Sequence, residues 1–429
     1  MMNKQLLSQV IIDQAKEPLP ELMVPRWDYQ DLTALTDNKQ VIILTGIRRC
    51  GKSILMHLIR QKMAPAHYYI NFDDDRLALF ELDDFQVLIE TFIELFGIQN
   101  NFYFDEIQNI HGWERFVRRL HNEGKKVFIT GSNASLLSSE LGTHLTGRHI
   151  ALKLYPFSFR EYVYTKDKTL LAEERLDSTQ IAMLKKYFSE FQVMGGMPEY
   201  LENKQKQYLH TLYENILYKD IIVRHKLPQQ KPIKELVYYL ASNNAKEFSY
   251  NALRKLLGLA SSNTVAEYCH YLENSFLSFV VNRFSYSLKK QTHFAKKIYF
   301  IDQALAESVG FRMSQDEGRT LENIVFLQLL RQNKDIYFHQ DKQECDFVIR
   351  DGYHITEAIQ VCATLKEDKT RHRELNGLIE AMAFYQLKQG LIITEDESAI
   401  EFIDYLGTTY QINIVPCWKW LLDRTSTCS

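Results

Sequence analysis

The sequence predicts an α/β chain whose leading domain is an open parallel sheet, and three observations carry that prediction. Val41 to Leu44 form a short unbroken apolar run, as a strand buried on both faces of a parallel sheet requires. The run leads into Gly46, Ile47, Arg48, Arg49, Cys50, Gly51, Lys52 and Ser53, the spacing GxxxxGK[ST], followed by a helical stretch that starts at Ser53 and Ile54. A second apolar strand, Phe102 to Phe104, ends in Asp105 and Glu106.

Each element has a physical reason. Gly46 and Gly51 allow backbone conformations and a close approach that a side chain would block, so successive N–H groups can curl around a phosphate. Lys52 brings a point charge to the β- and γ-phosphates, and the Ser53 hydroxyl can join the shell of a Mg²⁺ ion. The following helix aims its positive N-terminal dipole at the same anion. ATP and Mg²⁺ are therefore the expected cofactors, held by the loop from Gly46 to Ile54. The plainer reading, a glycine turn without a ligand, does not explain the strand before it and the helix after it.

Asp105 stands at the carboxyl tip of its strand, where the crevice of an open α/β sheet holds its ligand, and is expected on the Mg²⁺ side of the site. Glu106 is then the candidate base that orients the attacking water; the alternative is a pair of helix-capping acids. Between the two strands Ala66 to Asn71 reads as an additional strand, followed by the acidic run Asp73, Asp74 and Asp75. A fourth strand, Lys126 to Thr130, leads into Gly131, Ser132 and Asn133. Asn133 suits a γ-phosphate or water contact, although Gly-Ser-Asn is also ordinary turn chemistry. Arg148 precedes a fifth strand, His149 to Leu154. It is placed to deliver a cation to a neighbouring subunit's phosphate in a homo-oligomer, or to form a plain surface ion pair.

With 429 residues, 45% of them hydrophobic, the chain is expected to hold two to four domains. Its formal charge of −3 supplies no global field toward nucleic acid or anionic lipid, so any such contact needs a local patch. The six cysteines, Cys50, Cys269, Cys345, Cys362, Cys417 and Cys428, show no CxxC pair and no zinc spacing. A reduced, cytoplasmic setting is expected. The first residues lack the apolar core of a signal peptide, and no window is long enough to span a bilayer, so no membrane partner is expected.

The phosphate loop, Tyr103 to Gln108 with Trp113 and Glu114, Thr130 to Asn133, Leu145 to Arg148 and Leu154 to Tyr162 together resemble a group of prokaryotic AAA-type ATPases. These carry a C-terminal domain catalogued as DUF4143. The resemblance implies ATP binding and hydrolysis. The chain is expected to divide into an N-terminal arm (1–37), an ATPase core (38–165), a helical lid (166–230), a winged-helix-like domain (231–305) and a nuclease-like α/β domain (306–429).

The residues of the later segments support that division. Leu184, Phe188, Phe191 and Val193 have helical spacing, and Gly195, Gly196 and Pro198 then break it, which reads as a hinge into the lid. In the helical stretch Leu209 to Val223, Lys219, Asp220 and Arg224 fall on or near the polar face. In the winged-helix segment the third helix, Ser262 to Asn274, holds no lysine or arginine and two glutamates, a poor surface for phosphates. Basic residues lie instead at Arg254, Lys255, Lys289 and Lys290, and at Lys296 and Lys297, read as the wing; DNA is a possible partner through these six, against a solvated charged face. The last segment reads helix, strand, strand, strand, helix, strand. Glu322 on the helix, Asp346 on a strand, and Gln360 and Cys362 on the next resemble the acid, acid and E-x-K positions of PD-(D/E)XK nucleases. Gln360 stands where an acid belongs and Cys362 where a lysine belongs, so this restriction-endonuclease-like site is expected to be vestigial.

The expected function is a Mg²⁺-dependent ATPase coupling nucleotide state to a winged helix and an inactive nuclease-like module. Its rivals are an ATP-driven DNA-processing enzyme with a live nuclease and a nucleotide-gated switch with little turnover.

Overall fold

In the computed structural model, which describes residues 2–18, 23–26, 38–63, 67–132, 147–172, 175–311 and 317–423, the chain divides into two units. One runs to Tyr155 and includes Asn274–Phe276; the other takes the rest from Pro156 onward.

The first unit is a five-stranded parallel sheet of β1 (Val41–Gly46), β2 (Tyr68–Asn71), β3 (Asn101–Asp105), β4 (Lys126–Gly131) and β5 (His149–Leu154), in the order β2-β3-β4-β1-β5. Every residue of β1 is buried, as its apolar run requires. β4 lies between β1 and β3, with Ile42 opposite Phe128 and Phe102 opposite Val127. Parallel pairing brings the carboxyl ends of β1, β3 and β4, and hence Gly46, Asp105 and Thr130, to one edge. Aromatic stacking fills the core, with Phe85 on Phe116 at 4.0 Å and Tyr103 on Phe128 at 4.7 Å between ring centroids.

The segment expected as an N-terminal arm differs in its described part. The helix Lys4–Gln14, capped by the Asn3 side chain, sends Leu7, Val10 and Ile11 into the same core cluster as β1 to β4. Arg76 ties it down through Asp13 at 2.7 Å and Asp74 at 2.8 Å. Within the acidic run, Asp74 thus serves a turn and an ion pair.

The second unit opens with the helices Phe159–Lys166 and Ser178–Met194, each started by a capping box, Ser158 with Glu161 and Asp177 with Gln180. Pro198–Asn203 and Lys206–Asn215 follow, the latter running into a π-helical stretch, Ile216–Val223. The stretch expected as a lid on the ATPase core groups instead with the second unit. Its glycine break, expected as a hinge, is a tight crossing. Asp302 accepts from the Gly196 N–H at 2.6 Å, and a Cβ on Gly196 would lie 2.2 Å from the Phe157 carbonyl oxygen. Asp220, expected on the polar face, is buried.

Next come the helices Lys231–Ser242, Tyr250–Leu256 and Ser262–Asn274, with β6 (Glu247–Phe248), β7 (Ser278–Asn282) and β8 (Lys296–Phe300) forming an antiparallel sheet in the order β6-β8-β7. The expected basic wing is corrected here. Leu288–His293 is a short helix carrying exposed Lys289 and Lys290, whereas Lys296 and Lys297 belong to β8 and are both buried. Lys296 donates to the carbonyls of Thr292 and Phe294 at 3.1 Å, so neither lysine presents its charge to a phosphate backbone.

The remainder is a six-stranded sheet of β9 (Asp335–Gln340), β10 (Glu344–Asp351), β11 (His354–Val361), β12 (Gln389–Thr394), β13 (Ala399–Tyr405) and β14 (Thr408–Pro416), in the order β13-β14-β12-β11-β10-β9. The helix Glu317–Arg331 precedes it, and Asp368–Tyr385 connects β11 to its parallel neighbour β12.

Candidate functional site

The first candidate site lies at the carboxyl edge of the parallel sheet. β1 ends in Gly46, where a Cβ would stand 2.1 Å from the Leu154 carbonyl oxygen of β5, so only glycine lets the strands pair there. The loop then turns through Arg49 and Gly51, both left-handed at φ 67° and 99°. Cys50 is buried within it, its Sγ 3.4 Å from the same Leu154 oxygen, and burial pushes its thiol pKa up, which suits packing and not nucleophilic chemistry. Arg26 braces the loop, donating to the Cys50 carbonyl at 3.1 Å and to the Tyr155 carbonyl.

Lys52 opens the helix Lys52–Met63. Its Nζ donates to the carbonyls of Gly46 and Ile47 at 3.3 Å each and lies 3.7 Å from Glu106 Oε1. Ser53 is exposed at the helix start, with its hydroxyl near enough to Asp105 to favour the charged carboxylate. Asp105 is fully buried; burial, then Glu106, push its pKa up, opposed by the Thr130 and Ser53 hydroxyls and by Lys52. Glu106 follows in a left-handed conformation, φ 50°, unusual for a residue with a side chain. Thr130 explains how both acids are held. Its hydroxyl donates to Asp105 Oδ1 and accepts from the Glu106 N–H at 2.9 Å. Gln108 Nε2 donates to the other Glu106 oxygen, Oε2. The donors present, a hydroxyl beside a carboxylate, fit Mg²⁺, which takes oxygen ligands.

The structure therefore brings together Gly46, Gly51, Lys52, Ser53, Asp105 and Glu106. Ile54 lies half-buried in the first turn of the helix. Asn133 lies outside the described residues. Arg148 is exposed, donates to Asn122 Oδ1 at 2.8 Å, and its carbonyl accepts from Val41 N at the start of β1. That is the opposite end of the sheet, on the order of 20 Å along a six-residue strand from the phosphate loop. It does not serve its own chain's site.

A second cluster lies in the other unit. Glu322 comes from the helix Glu317–Arg331, Asp346 from β10 and Gln360 from β11. The Gln360 amide is engaged at both ends: its oxygen accepts from the Asp346 N–H at 3.2 Å and its nitrogen donates to Glu374. Cys362 is buried, and burial with the nearby Glu374 pushes its thiol up to about 12. At the centre stands Lys297, whose Nζ lies 2.8 Å from Glu322, 2.9 Å from Asp346 and 2.5 Å from Glu344. Burial alone would lower its pKa, but Asp346 and Glu322 hold it well above the usual lysine range. Burial and then Asp346 raise Glu322 to about 8. The cluster floors a cavity of about 930 Å³.

Residues 38–163 match an AAA domain family, and residues 185–316 match a domain of unknown function, DUF8612. The uncharacterized protein MJ1544 of Methanocaldococcus jannaschii is 33% identical over 438 residues, covering 98% of this chain and 96% of that protein. The chain belongs to this family of AAA-domain proteins. An uncharacterized protein of Haemophilus influenzae is 30% identical, covering 82% of this chain and 89% of its own. Among solved structures, the RuvB Holliday junction branch migration motor of Thermotoga maritima is similar at a TM-score of 0.30 and 16% identity, covering 64% of this chain and 93% of that one. A STAND protein with a tetratricopeptide repeat sensor, PH0952 from Pyrococcus horikoshii, gives 0.28 and 18%, covering 73% and 46%.

The AAA-domain match covers the phosphate-loop segment, so residues 38–163 form an AAA-type P-loop domain. The domain matched in the middle is DUF8612, where the sequence resemblance pointed to DUF4143 at the C-terminal end. Among the described residues, no helix is long and apolar enough to cross a membrane. Sequence reading missed Thr130, Arg26 and Gln108 in this AAA-domain protein. Thr130 had a signal, since it closes the apolar run of the strand that pairs with β3, on the edge where the motif residues meet. Arg26 had none, because it reaches the loop by a long-range contact.

Proposed function

We propose that the first unit binds ATP with Mg²⁺ and hydrolyses it. Lys52 and the loop from Gly46 to Ile54 take the phosphates, Ser53 and Asp105 hold the metal, and Glu106 orients and deprotonates the attacking water. The observation that carries this is Thr130, whose single hydroxyl joins Asp105 to the Glu106 backbone beside Lys52 and Ser53. Lys52 rests on two neutral carbonyls, weak partners that a polyphosphate displaces, and its departure also frees Glu106. Phosphate release and nucleotide binding test the reading. Glu106→Gln should bind ATP and lose about 10²- to 10⁴-fold in turnover, whereas Lys52→Ala should bind poorly. Equal hydrolysis by wild type and Glu106→Gln removes the role given to Glu106.

Arg148 fits action across a subunit boundary, because its own site lies at the other end of the sheet. In the second unit, the three helices and the strand order β6-β8-β7 support the winged-helix reading, and the sequence of elements around β9 to β12 supports the restriction-endonuclease-like reading. The DNA reading narrows to Arg254, Lys255, Lys289 and Lys290, too few to favour a DNA-processing enzyme. Incubation with plasmid and branched DNA in Mg²⁺ or Mn²⁺ should give no products; products that vanish in Asp346→Ala would make the nuclease the leading reading.

A further inference from the structure

Lys297 occupies a place that the nuclease-like reading leaves for a metal ion. It reaches the cluster from β8, a strand of the three-stranded sheet, while the acids come from Glu317–Arg331 and β10. Strand alternation separates the two lysines of β8: Lys296 turns to the carbonyls of Thr292 and Phe294, and Lys297 turns with Tyr299 into the acids. An ammonium has three donors: here Glu322 and Asp346 each accept one, and Glu344 pairs with the charge at 2.5 Å. The acids are engaged elsewhere too. The Tyr299 hydroxyl donates to Glu322 at 2.7 Å, and the Val361 N–H donates to Asp346 Oδ2 at 2.9 Å. Gln360, the residue in the second strand-acid position, is turned to Glu374.

We propose that Lys297 is the resident cation of this module: its ammonium fills the position between the helix acid Glu322 and the strand acid Asp346 that a divalent metal would bridge, so the native chain takes no metal there and uses the ion cluster to fasten β8 to the six-stranded sheet. The contacts stand without the nuclease-like reading; only the comparison with a metal position rests on it. A metal entering this site must displace a cation that is itself buried among three carboxyl groups, and the lysine would be left inside the protein without its acids.

The test uses the full chain without nucleotide and Mn²⁺ as the probe, followed by electron paramagnetic resonance and by thermal unfolding. Wild type should show no Mn²⁺ site that depends on Asp346. Lys297→Ala should gain one such site and lose it again when Asp346→Asn is added. The unfolding midpoint of Lys297→Ala should fall below that of wild type and rise with Mn²⁺, while the wild-type midpoint should not respond through Asp346. An Asp346-dependent Mn²⁺ site in wild type overturns the proposal, as does a folded Lys297→Ala that binds none. If Lys297→Ala does not fold, the wild-type titration with its Asp346→Asn control still decides. DNA cleavage is scored separately, so failure of the inactive-nuclease reading and failure of this proposal give different results.

Discussion

Lys52 in the nucleotide site and Lys297 in the acid cluster of the second unit are both buried and both lie beside acids, yet their donors are distributed differently. Lys52 meets two backbone carbonyls at 3.3 Å and one carboxylate at 3.7 Å, beyond hydrogen-bond distance. Lys297 meets three carboxylates within 2.9 Å. The first cation is loosely held and available to an incoming anion. The second is committed, since carboxyl groups already surround it. A lysine among acids therefore marks a binding site only where its partners are weaker than the ligand.

Arg148 puts the exchangeable side of that contrast to its hardest test. If cations at the nucleotide site are supplied from outside the chain's own pocket, Arg148→Ala should cost about 10³-fold or more in turnover, the scale of an arginine delivered to phosphoryl transfer. Mixing Arg148→Ala with Lys52→Ala should restore some phosphate release, because each supplies what the other lacks. A monomer with full activity, or a mixture as dead as its components, sinks the idea.

Removing each lysine should next separate the two regions by stability. Lys297→Met leaves buried carboxylates unpaired and should cost about 3–5 kcal/mol. Lys52→Met gives up bonds to neutral carbonyls and should cost about 1 kcal/mol. Denaturant unfolding of the two variants measures the difference; equal losses would erase the distinction between them.

Much of this contrast was hidden in the sequence. The phosphate loop was legible because its chemistry is packed into consecutive residues, and Asp105 and Glu106 because they end an apolar run. Lys297 was misread as an exposed wing because its partners, Glu322 and Asp346, lie 25 and 49 residues away. The alternation of β8 holds a clue, since it groups Lys297 with Tyr299 on one face, but nothing local says which face is buried. The helix Lys4–Gln14 was read as part of an arm because its apolar positions find their partners only in β1 to β4.

Thr130 sharpens the nucleotide side further. Thr130→Ala removes a hydroxyl bonded to both acids, so turnover should fall roughly tenfold, the equivalent of about 1.4 kcal/mol, while ATP affinity changes less. Thr130→Ser keeps the hydroxyl and should recover most of the rate. If alanine and serine behave alike, the hydroxyl does not position the acids.

The smallest effect is expected at an ion cluster in neither site, where partial exposure to water weakens what the same charges achieve when buried. Arg76 joins Asp13 and Asp74, with side chains 35%, 41% and 12% exposed. The Arg76 hydrogen bond lowers the Asp74 pKa to about 2 from its ordinary 3.8. The unfolded chain therefore binds more protons than the folded one between those values, and stability rises with pH across that window. The contribution is fully present above 3.8 and is lost as pH falls through about 2. Asn can still cap the turn at Asp75–Leu77, so Asp74→Asn tests mainly the charge. It should cost about 1 kcal/mol or less at pH 7, given the exposure of Arg76. The gap between wild type and Asp74→Asn, read from denaturant unfolding, should persist at pH 4 and close toward pH 2. A gap undiminished at pH 2 would assign the loss to the turn and not to the ion pair.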